Sequence, residues 1–528
     1  MSSSKSSRYI FFAVFLTILF AISLNYIVKT PNDGVLYHSS AEYFYNNGLF
    51  VDPTRTFGDY LRPIPTPQIG IILYIISLKF IFKSFWLIAY AIIFAALWTV
   101  LLNRLIYFAK KNFSKRSYVY AFFPLLIFLN YDYLVSSSSF YNEALYYPFL
   151  IFAFLKIINC IQKQKSIFSN SYLFVLFLAV AVVFRIQHFT ILGSLGLFFL
   201  IYNKKKEFYY TCLITIINVS IFIFLLNYLK EYDSYPPTSL EAQKTPLNYV
   251  IHLIQTQINN LNFFSTDIRL DNTYILYKNI KVHFSLYLNF LNLPKIIDFH
   301  IPDHFTKITE IIYGISALVI LAFITFDFKK TLKNKAKVFL FIYFIVTSIF
   351  LFVLTDYTTR YFMFTNFCVV FYLFDFMKRF NIRLNFKKFS IIIVFFISII
   401  LYYGYGYFTN MNRYTDVYRL GNIIKEFKFN RAGYFDKNDL IISKYRYNIY
   451  WILKKPSIRM DQVIASNLIQ DGKRFFFIGD IKELNEYPVF LSKIKRFENY
   501  TYIPLENNSI SNNTSGLNVW RIYFDNGK

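Results

Sequence analysis

Five charged residues of this sequence have side chains suited to transferring a group away from a phosphate. They are the carboxylates Asp33 and Glu143 and the arginines Arg62, Arg185 and Arg360. A carboxylate can accept the proton of an attacking hydroxyl, and a guanidinium can bind a phosphate leaving group bidentately while its negative charge develops. Because phosphate is already a weak base, such a reaction needs no strong general acid. The five residues are far apart along the chain, so this chemistry requires a fold that brings them together.

The composition predicts that this fold is an all-α polytopic membrane protein. Of 528 residues, 56% are hydrophobic and 16% are charged, and 56 Lys and Arg against 30 Asp and Glu give a formal net charge of +26. Soluble domains contain about 25% charged residues, so this chain lacks the polar surface of a soluble protein of its size. The three cysteines lie inside apolar runs and form neither a spaced metal motif nor a disulfide framework.

Runs of basic residues orient the predicted crossings. Lysines and arginines cluster between apolar segments at 110–116, 204–206, 329–337 and 378–388, as they do in cytoplasmic loops. No nucleic-acid-binding motif accompanies them, so we expect no nucleic-acid partner. About eleven transmembrane helices, with a cytoplasmic N-terminus, are predicted at 9–28, 85–107, 118–135, 144–160, 171–185, 186–202, 208–229, 309–327, 338–355, 361–378 and 389–408. The stretch 69–82 is short, and we expect it either to lie along the membrane or to form an incomplete hairpin.

This topology predicts two domains and gathers the five charged residues on one side of the membrane. The transmembrane domain comprises 1–409, with outer loops at 29–68 and 230–306 and outer hairpin tips at 131–143, 185–187 and 355–361. Residues 410–528 contain strand-like runs at 440–443, 475–478 and 519–524 and helix-like segments at 445–454 and 461–470, which predicts a small α/β extracytoplasmic domain. We expect the loops and tips to converge on one pocket at the outer membrane interface.

The two carboxylates also have ordinary structural explanations. Asp33 could cap the N-terminus of a helix, although its spacing from Tyr37 and Ala41 would place all three on one helical face. Glu143 could simply interact with the helix dipole at the start of its span. A structural and a chemical role therefore both remain open for each carboxylate.

Arg185 is harder to explain as a structural residue. It lies between Phe184 and Ile186 at the end of a span, where an arginine needs an anionic partner or must extend its side chain to the interface. Loop carboxylates such as Asp52 and Asp59 are, in contrast, expected to be solvated. Identifying the partner of Arg185 would therefore be the most informative observation about the site.

The first outer loop resembles that of GT-C glycosyltransferases in the segment Pro31-Asn32-Asp33-Gly34-Val35-Leu36-Tyr37-His38-Ser39-Ser40-Ala41, followed by Asn47-Gly48. These are integral membrane enzymes that use polyprenyl-phosphate sugars. The resemblance is to the branch of protein O-mannosyltransferases and lipid A aminoarabinose transferases, in which an acidic pair opens this loop. Asp33 matches the first acidic position, the catalytic or site-organising carboxylate of the family, and Gly34 stands in the second.

Other positions resemble the family in order and spacing. Arg62-Pro63 resembles its basic-Pro step, whose cation contacts the lipid phosphate; Glu143 resembles the acidic residue after the second outer loop; and Arg185 and Arg360 resemble the arginines of later tips. The resemblance implies that Asp33 and Glu143 are catalytic and that the three arginines bind the donor phosphate. We further predict that the substrate is lined by Tyr37, His38, Asp59, Gln187 and Tyr361.

A metal site is left open by the sequence. His300 and His304, with Asp303 between them, have a spacing that could ligate one ion on a helix. Pro302 disfavours a regular helix there, and an interfacial segment with surface histidines is the interpretation we favour. Some GT-C enzymes use a divalent cation and others do not, so the resemblance fixes no cofactor.

Together these features predict a bacterial inner-membrane glycosyltransferase with a periplasmic active site and a periplasmic C-terminal domain. Embedded in the lipid bilayer, it would take a sugar from a polyprenyl-phosphate donor and pass it, on the periplasmic face, to a glycan, lipid or protein acceptor of the cell envelope. An O-antigen polymerase or ligase, which uses a diphosphate-linked oligosaccharide, is the alternative enzyme because it also has a large late outer loop. A multi-span lipid or glycan transporter is the alternative from another class, although no internal repeat is visible.

Overall fold

The computed structural model describes residues 32–55, 64, 69–113, 123–124, 127, 140–168, 172–230, 333–354, 363–379, 439–443, 457–458, 474–480, 484, 491–492, 494–499 and 517–524. These residues form mostly α-helices and one small sheet. The helices are α1 (Asn32–Asn47), α2 (Gly70–Phe82), α3 (Trp86–Asn112), α4 (Asn142–Gln162), α5 (Tyr172–Val180), α6 (His188–Ile201), α7 (Lys205–Lys230), α8 (Lys335–Leu354) and α9 (Met363–Arg379).

The helices from α3 to α9 coincide with seven of the predicted spans. Within the part of the chain that the structure describes, three stretches are long and apolar enough to cross a membrane, namely Gly70–Asn112, Asn142–Gln162 and Lys205–Leu225, and shorter apolar helices accompany them. These apolar helices indicate a membrane protein. The number of eleven crossings stays a prediction, because the spans 9–28, 309–327 and 389–408, and most of 118–135, lie outside the described residues.

Residues 70–82 form a helix that folds back on the next one. Helix α2 ends at a left-handed residue, Lys83, with φ of 48°, and a 3-10 turn, Lys83–Phe85, leads into α3. The rings of Tyr74 and Tyr90 lie 5.8 Å apart, whereas 16 residues of straight helix would separate them by about 24 Å. With 13 residues, α2 is only about 20 Å long and is shorter than the ~30 Å hydrocarbon core. It is therefore the short arm of a hairpin.

The exposed surface of this hairpin is apolar. Phe80, Ile81 and Phe85 at the turn and Ile88 and Ile92 on α3 are all more than half exposed. The last three are spaced as i, i+3 and i+7, so they form one stripe along a helix. A stripe of this kind is what a lipid-facing helix presents to hydrocarbon.

The basic helix ends lie together at one end of the bundle. Gln162 Nε2 donates to Asn112 Oδ1 at 3.0 Å, and Lys378 Nζ donates to the Asn112 carbonyl at 2.7 Å. Helices α3, α4 and α9 therefore run parallel, as the predicted topology requires. At the same end Lys337 Nζ lies 2.5 Å from Asp375 Oδ2, which joins α8 to α9. The starts of α3 and α4 consequently lie at the opposite end.

The core between these helices is largely aromatic. Phe154 of α4 is its centre, with ring centroids 4.7 Å from Tyr343 of α8 and 5.1 Å from Phe367 of α9. All three rings are less than 2% exposed. Aromatic pairs in this geometry add to the free energy of burial, and they fix how α8 and α9 sit against α4.

The C-terminal residues form a five-stranded sheet in the order β2-β1-β3-β5-β4. Its strands are β1 (Leu440–Ile442), β2 (Ser457–Ile458), β3 (Phe475–Asp480), β4 (Ile494–Asn499) and β5 (Leu517–Phe524). Strand β1 pairs in parallel with β2 and β3, and β5 pairs antiparallel with β3 and β4. The three predicted strands coincide with β1, β3 and β5, and two further strands were not predicted. The helix-like segments 445–454 and 461–470 and the boundary at 409/410 lie outside the described residues.

The sheet touches the segment that follows α1. Strand β2 lies against a 3-10 turn, Pro53–Arg55, and Ser457 of that strand is fully buried. The sheet is thus attached to the first predicted outer loop. The extracytoplasmic position predicted for both stays a prediction.

Candidate functional site

Glu143 and Arg185 form a buried ion pair. Glu143 is the second residue of α4, and Arg185 lies in the turn between a 3-10 turn, Ala181–Val183, and α6. Arg185 Nη2 contacts Glu143 Oε1, and the two side chains are 4% and 0% exposed. The anionic partner that Arg185 requires is thus a carboxylate 42 residues earlier in the chain. Two predicted site residues are thereby brought into contact.

The first turn of α4 also holds the first turn of α2. Asn142 Oδ1 accepts a hydrogen bond from the Ile71 N–H at 2.8 Å, so it satisfies one of the backbone donors that a helix start leaves unpaired. Two helix N-termini therefore meet beside Glu143, and each contributes a partial positive charge. Together with Arg185 they make this end of the bundle favourable for an anion. Asn142 was not among the predicted site residues.

The start of α2 also touches the turn that carries Arg185. Gly70, the first residue of α2, lies so close to the Phe184 ring that a Cβ at this position would overlap it. Phe184 directly precedes Arg185, so the backbone of α2 and the arginine share one tightly packed contact. A glycine is required here because the Phe184 ring lies too close for a Cβ, and not because the backbone adopts a conformation that only glycine tolerates.

Substituting Gly70 tests this contact. Gly70→Ala is expected to force Phe184 away and to destabilise the protein by about 1–3 kcal/mol, the usual cost of overpacking. Gly196→Ala is the matched control, because a Cβ there would have its nearest neighbour, Phe208, at an ordinary 3.9 Å. Thermal unfolding of the detergent-solubilised protein should separate the two variants. Equal melting temperatures for both would contradict the close packing of α2 against Phe184.

The turn itself is compact and hydrogen-bonded. The Arg185 N–H donates to the Ala181 carbonyl at 3.1 Å, and the His188 N–H donates to the Arg185 carbonyl at 3.0 Å. The Gln187 carbonyl accepts from Thr190 Oγ1 at 2.7 Å. We call residues 184–188 the arginine turn. Its backbone is fixed on both sides of Arg185.

Gln187 lies in the arginine turn as a buried polar residue. It is 3% exposed, and its side-chain oxygen has no hydrogen-bond partner within the part of the chain that the structure describes. Buried polar atoms are nearly always hydrogen-bonded, so an unpaired amide oxygen next to Arg185 is a candidate contact for a bound hydroxyl. Its role in lining a substrate stays a prediction.

Tyr37 and His38 lie on α1, and both are buried. The His38 ring stacks on Trp86 at 5.3 Å and lies 6.2 Å from the Phe140 ring. Its Nδ1 is 4.0 Å from Glu42 Oε2 on the same helix. Since Phe140 precedes Asn142 by two residues, His38 is adjacent to the segment that carries Glu143. Tyr37 packs in the apolar core.

Phe140 adopts a conformation that a bulky residue rarely takes. Its φ is 56°, in the left-handed region, which costs of order 1–3 kcal/mol for a residue other than glycine. Its ring packs against Trp86 at 5.9 Å and against Tyr90 at 4.8 Å. This packing offsets the strain, and the sharp turn directs the chain into α4 so that Asn142 and Glu143 face α2 and the arginine turn.

The remaining predicted site residues are described in part or not at all. Asp33 lies in the first turn of α1, a helix that would place it on one face with Tyr37 and Ala41, but its side chain is outside the described part of the structure. Outside the described residues altogether are Asp59, Arg62, Arg360 and Tyr361 and the histidines His300 and His304. Their roles stay predictions.

Asp52 corrects one expectation from the sequence. It is fully buried and not solvated, because Thr54 supplies the hydrogen bonds that a buried carboxylate needs. Asp52 Oδ1 accepts from the Thr54 N–H at 3.0 Å and from Thr54 Oγ1 at 2.5 Å. A short polar side chain that binds its own backbone two residues on is a local turn device. Asp52 therefore stabilises the turn against which β2 lies.

Within the described ranges, no group of three or more His, Cys, Asp or Glu side chains lies together in a way that could hold a metal ion. The candidate site consists of a carboxylate, a guanidinium, two helix N-termini and a buried amide at the end of the bundle opposite to its basic end.

A comparison with solved structures finds an oligosaccharyltransferase from Archaeoglobus fulgidus, crystallised in its apo form. The two chains align with a TM-score of 0.49 and 11% identity over 91% of this chain and 71% of that one. No family model matches the chain, and no curated protein matches it.

Proposed function

We propose that this protein is a membrane glycosyltransferase of the GT-C type, which transfers a sugar from a polyprenyl-phosphate donor to an acceptor hydroxyl. The observation that carries the proposal is the buried Glu143–Arg185 contact. It brings a buried carboxylate and a buried guanidinium together at one end of the bundle, and the guanidinium is a group that can bind a phosphate. The sequence resemblance of the segment that begins at Pro31 supports the same reaction.

The depth of the pair fits a lipid phosphate. Helix α4 has 21 residues and is therefore about 31 Å long, close to the ~30 Å thickness of the hydrocarbon core. Its last residue, Gln162, binds Asn112 among the basic helix ends. Glu143, at its start, then lies about one hydrocarbon thickness away, at the opposite interface. That is the depth at which a bilayer holds the phosphate of a polyprenyl donor, so part of the positioning comes from the membrane itself.

The proposed reaction is a single displacement. The acceptor oxygen attacks the anomeric carbon of the donor, the bond from that carbon to the phosphate oxygen breaks, and the acceptor proton passes to a carboxylate, for which Asp33 is our candidate. Polyprenyl phosphate leaves with the electron pair of the broken bond. Arg185, with Arg62 and Arg360, binds that phosphate as its charge increases. The simplest outcome is inversion at the anomeric carbon.

Glu143 has a different role from Asp33 in this proposal. In the resting protein it neutralises Arg185, which would otherwise be a buried and costly charge. An incoming phosphate competes with Glu143 for the same guanidinium. The site is therefore poised to exchange one anion for another, and the buried arginine keeps an anionic partner in both states.

A transfer assay with purified protein tests the proposal. Radiolabelled polyprenyl-phosphate sugars are incubated with the protein and with candidate glycan, lipid and peptide acceptors, beside an oligosaccharide linked to polyprenyl diphosphate. We expect label to move from a monophosphate donor. Transfer from the diphosphate donor alone would favour a polymerase or ligase. Movement of labelled lipid across proteoliposomes without any transfer would favour a transporter.

A further inference from the structure

A second polar contact joins α4 to the arginine turn. It lies one helical turn further along α4 than the ion pair, toward the C-terminus of that helix. His188 is the last residue of the arginine turn and the first of α6. Tyr146 follows Glu143 by three residues on α4, as His188 follows Arg185 by three. Tyr146 Oη lies 3.4 Å from His188 Nδ1, and the two rings meet edge to face at 5.9 Å. Both residues are fully buried.

The other ring nitrogen of His188, Nε2, binds a backbone carbonyl that the break after α5 leaves available. Helix α5 ends at Val180 and a 3-10 turn, Ala181–Val183, replaces its next turn. The Leu178 carbonyl accepts hydrogen bonds from His188 Nε2 at 2.8 Å and from Asn218 Nδ2 of α7 at 2.7 Å. A carbonyl has two lone pairs and can accept both. The break therefore joins α5, α6 and α7 at one atom.

These contacts fix the tautomer of the ring. A carbonyl can only accept, so the proton of the neutral imidazole lies on Nε2 and points to Leu178. Nδ1 then carries a lone pair that accepts from the Tyr146 hydroxyl. His188 thus contacts α5 through one ring nitrogen and α4 through the other. Its backbone N–H donates to the Arg185 carbonyl at 3.0 Å.

We infer that His188 is a positioning residue, which holds the arginine turn in place while Arg185 exchanges Glu143 for the donor phosphate. This inference rests on the proposed function. In the resting protein the ion pair itself ties the turn to α4. Once a phosphate takes the guanidinium, that tie is lost, and the contacts of His188 with Leu178 and Tyr146 keep the turn attached. Arg185 can then change its partner without moving its backbone, which keeps the reacting groups in register.

The test compares His188→Leu, which removes both ring contacts, with His188→Gln, whose amide can still donate to Leu178 and accept from Tyr146. Asn218→Leu is the matched control, because it removes a hydrogen bond to the same carbonyl from a helix outside the arginine turn. For each variant we would measure the donor KM and kcat and the hydrogen exchange of the peptide that contains 184–190. We expect His188→Leu to speed exchange of this peptide and to raise the donor KM roughly tenfold, the scale of one hydrogen bond.

The controls separate positioning from a general loss of stability. We expect His188→Gln to restore the donor KM to within about threefold, and Asn218→Leu to lower the melting temperature without changing the KM or the exchange of 184–190. Unchanged exchange in His188→Leu, or an equal rise of the KM in Asn218→Leu, would overturn the inference. If the wild-type protein transfers no sugar, the proposed function fails, whereas the exchange experiment still decides whether His188 holds the turn.

Discussion

Replacing Arg185 with glutamine is expected to destabilise the protein by about 3–5 kcal/mol, because it leaves the Glu143 carboxylate buried without its cation. Glu143→Gln should cost a similar amount for the opposite reason, since it leaves a buried guanidinium without this carboxylate. The double variant removes both charges and places two amides side by side. We expect it to recover most of the lost stability, as neutral replacements of buried pairs commonly do. The free energies of unfolding of the wild type, the two single variants and the double variant, measured by chemical or thermal unfolding in one detergent, form a double-mutant cycle.

Activity should behave differently in the same cycle. Arg185→Gln and the double variant are expected to lose sugar transfer by about 10²-fold or more, because both lack the phosphate-binding cation and restoring the fold does not restore it. The double variant is thus predicted to be stable and inactive. A double variant as unstable as the two single variants together would contradict the ion pair. A stable double variant with near-normal transfer would show that the pair serves only to join α4 to α6.

Replacing Asp33 with asparagine is expected to give the largest loss of activity with the smallest loss of stability. A general base contributes about 10²–10⁴-fold to a rate, and asparagine keeps the shape of the side chain while removing its basicity. Asp33 lies in the first turn of α1, where either residue is tolerated as a helix start. Transfer by the purified variant, measured beside its melting temperature, tests the role.

Glu207→Gln is the matched control for Asp33→Asn. Glu207 is an acidic residue in the first turn of another helix, α7, whose start carries the basic run at 204–206. The control should leave transfer unchanged. If Asp33→Asn transferred sugar at a rate near that of the wild type, Asp33 would not be the base, and Glu143 would be the remaining described candidate.

The sequence predicted helices α3 to α9 well because each is marked by an apolar run. Their positions follow from hydropathy, and the parallel directions of α3, α4 and α9 follow from their basic ends, which the Gln162–Asn112 and Lys378–Asn112 contacts place together. The folding back of α2 on α3 was less predictable. Nothing in the apolar run 70–82 marks the left-handed Lys83, and the alternative that 69–82 lies along the membrane could not be separated from a hairpin by composition.

The candidate site was predictable in its parts and not in its pairings. That Arg185 needs an anion follows from its apolar flanks, but nothing local identifies Glu143 as that anion, because the pair forms between different helices. The contact of Asn142 with the start of α2 could not be predicted either, because the sequence shows only that Asn142 precedes an acidic residue. His188 was visible as a histidine at a span end, but its role depends on the break of α5 after Val180.

The sheet shows the same limit. Strands β1, β3 and β5 contain apolar runs that are typical of strands. Strand β4, Ile494–Asn499, has the sequence Ile-Lys-Arg-Phe-Glu-Asn and contains no such run. Among the described strands it lies at the edge of the sheet, where it pairs with β5. Strand β2 has two residues. Both depend on pairing with distant strands, which local sequence does not encode.

In the proposed reaction Arg185 binds the phosphate of the polyprenyl donor, and this claim can be tested by measuring how tightly polyprenyl phosphate itself binds to the purified protein. Lys337→Gln is the matched control, because Lys337 also forms an ion pair between helices, with Asp375 at 2.5 Å, but at the basic end of the bundle. We predict that Arg185→Gln weakens binding roughly tenfold or more, the scale of lost charge-assisted hydrogen bonds, and that Lys337→Gln leaves it unchanged. Equal binding by the wild type and Arg185→Gln, or an equal loss in Lys337→Gln, would contradict the claim.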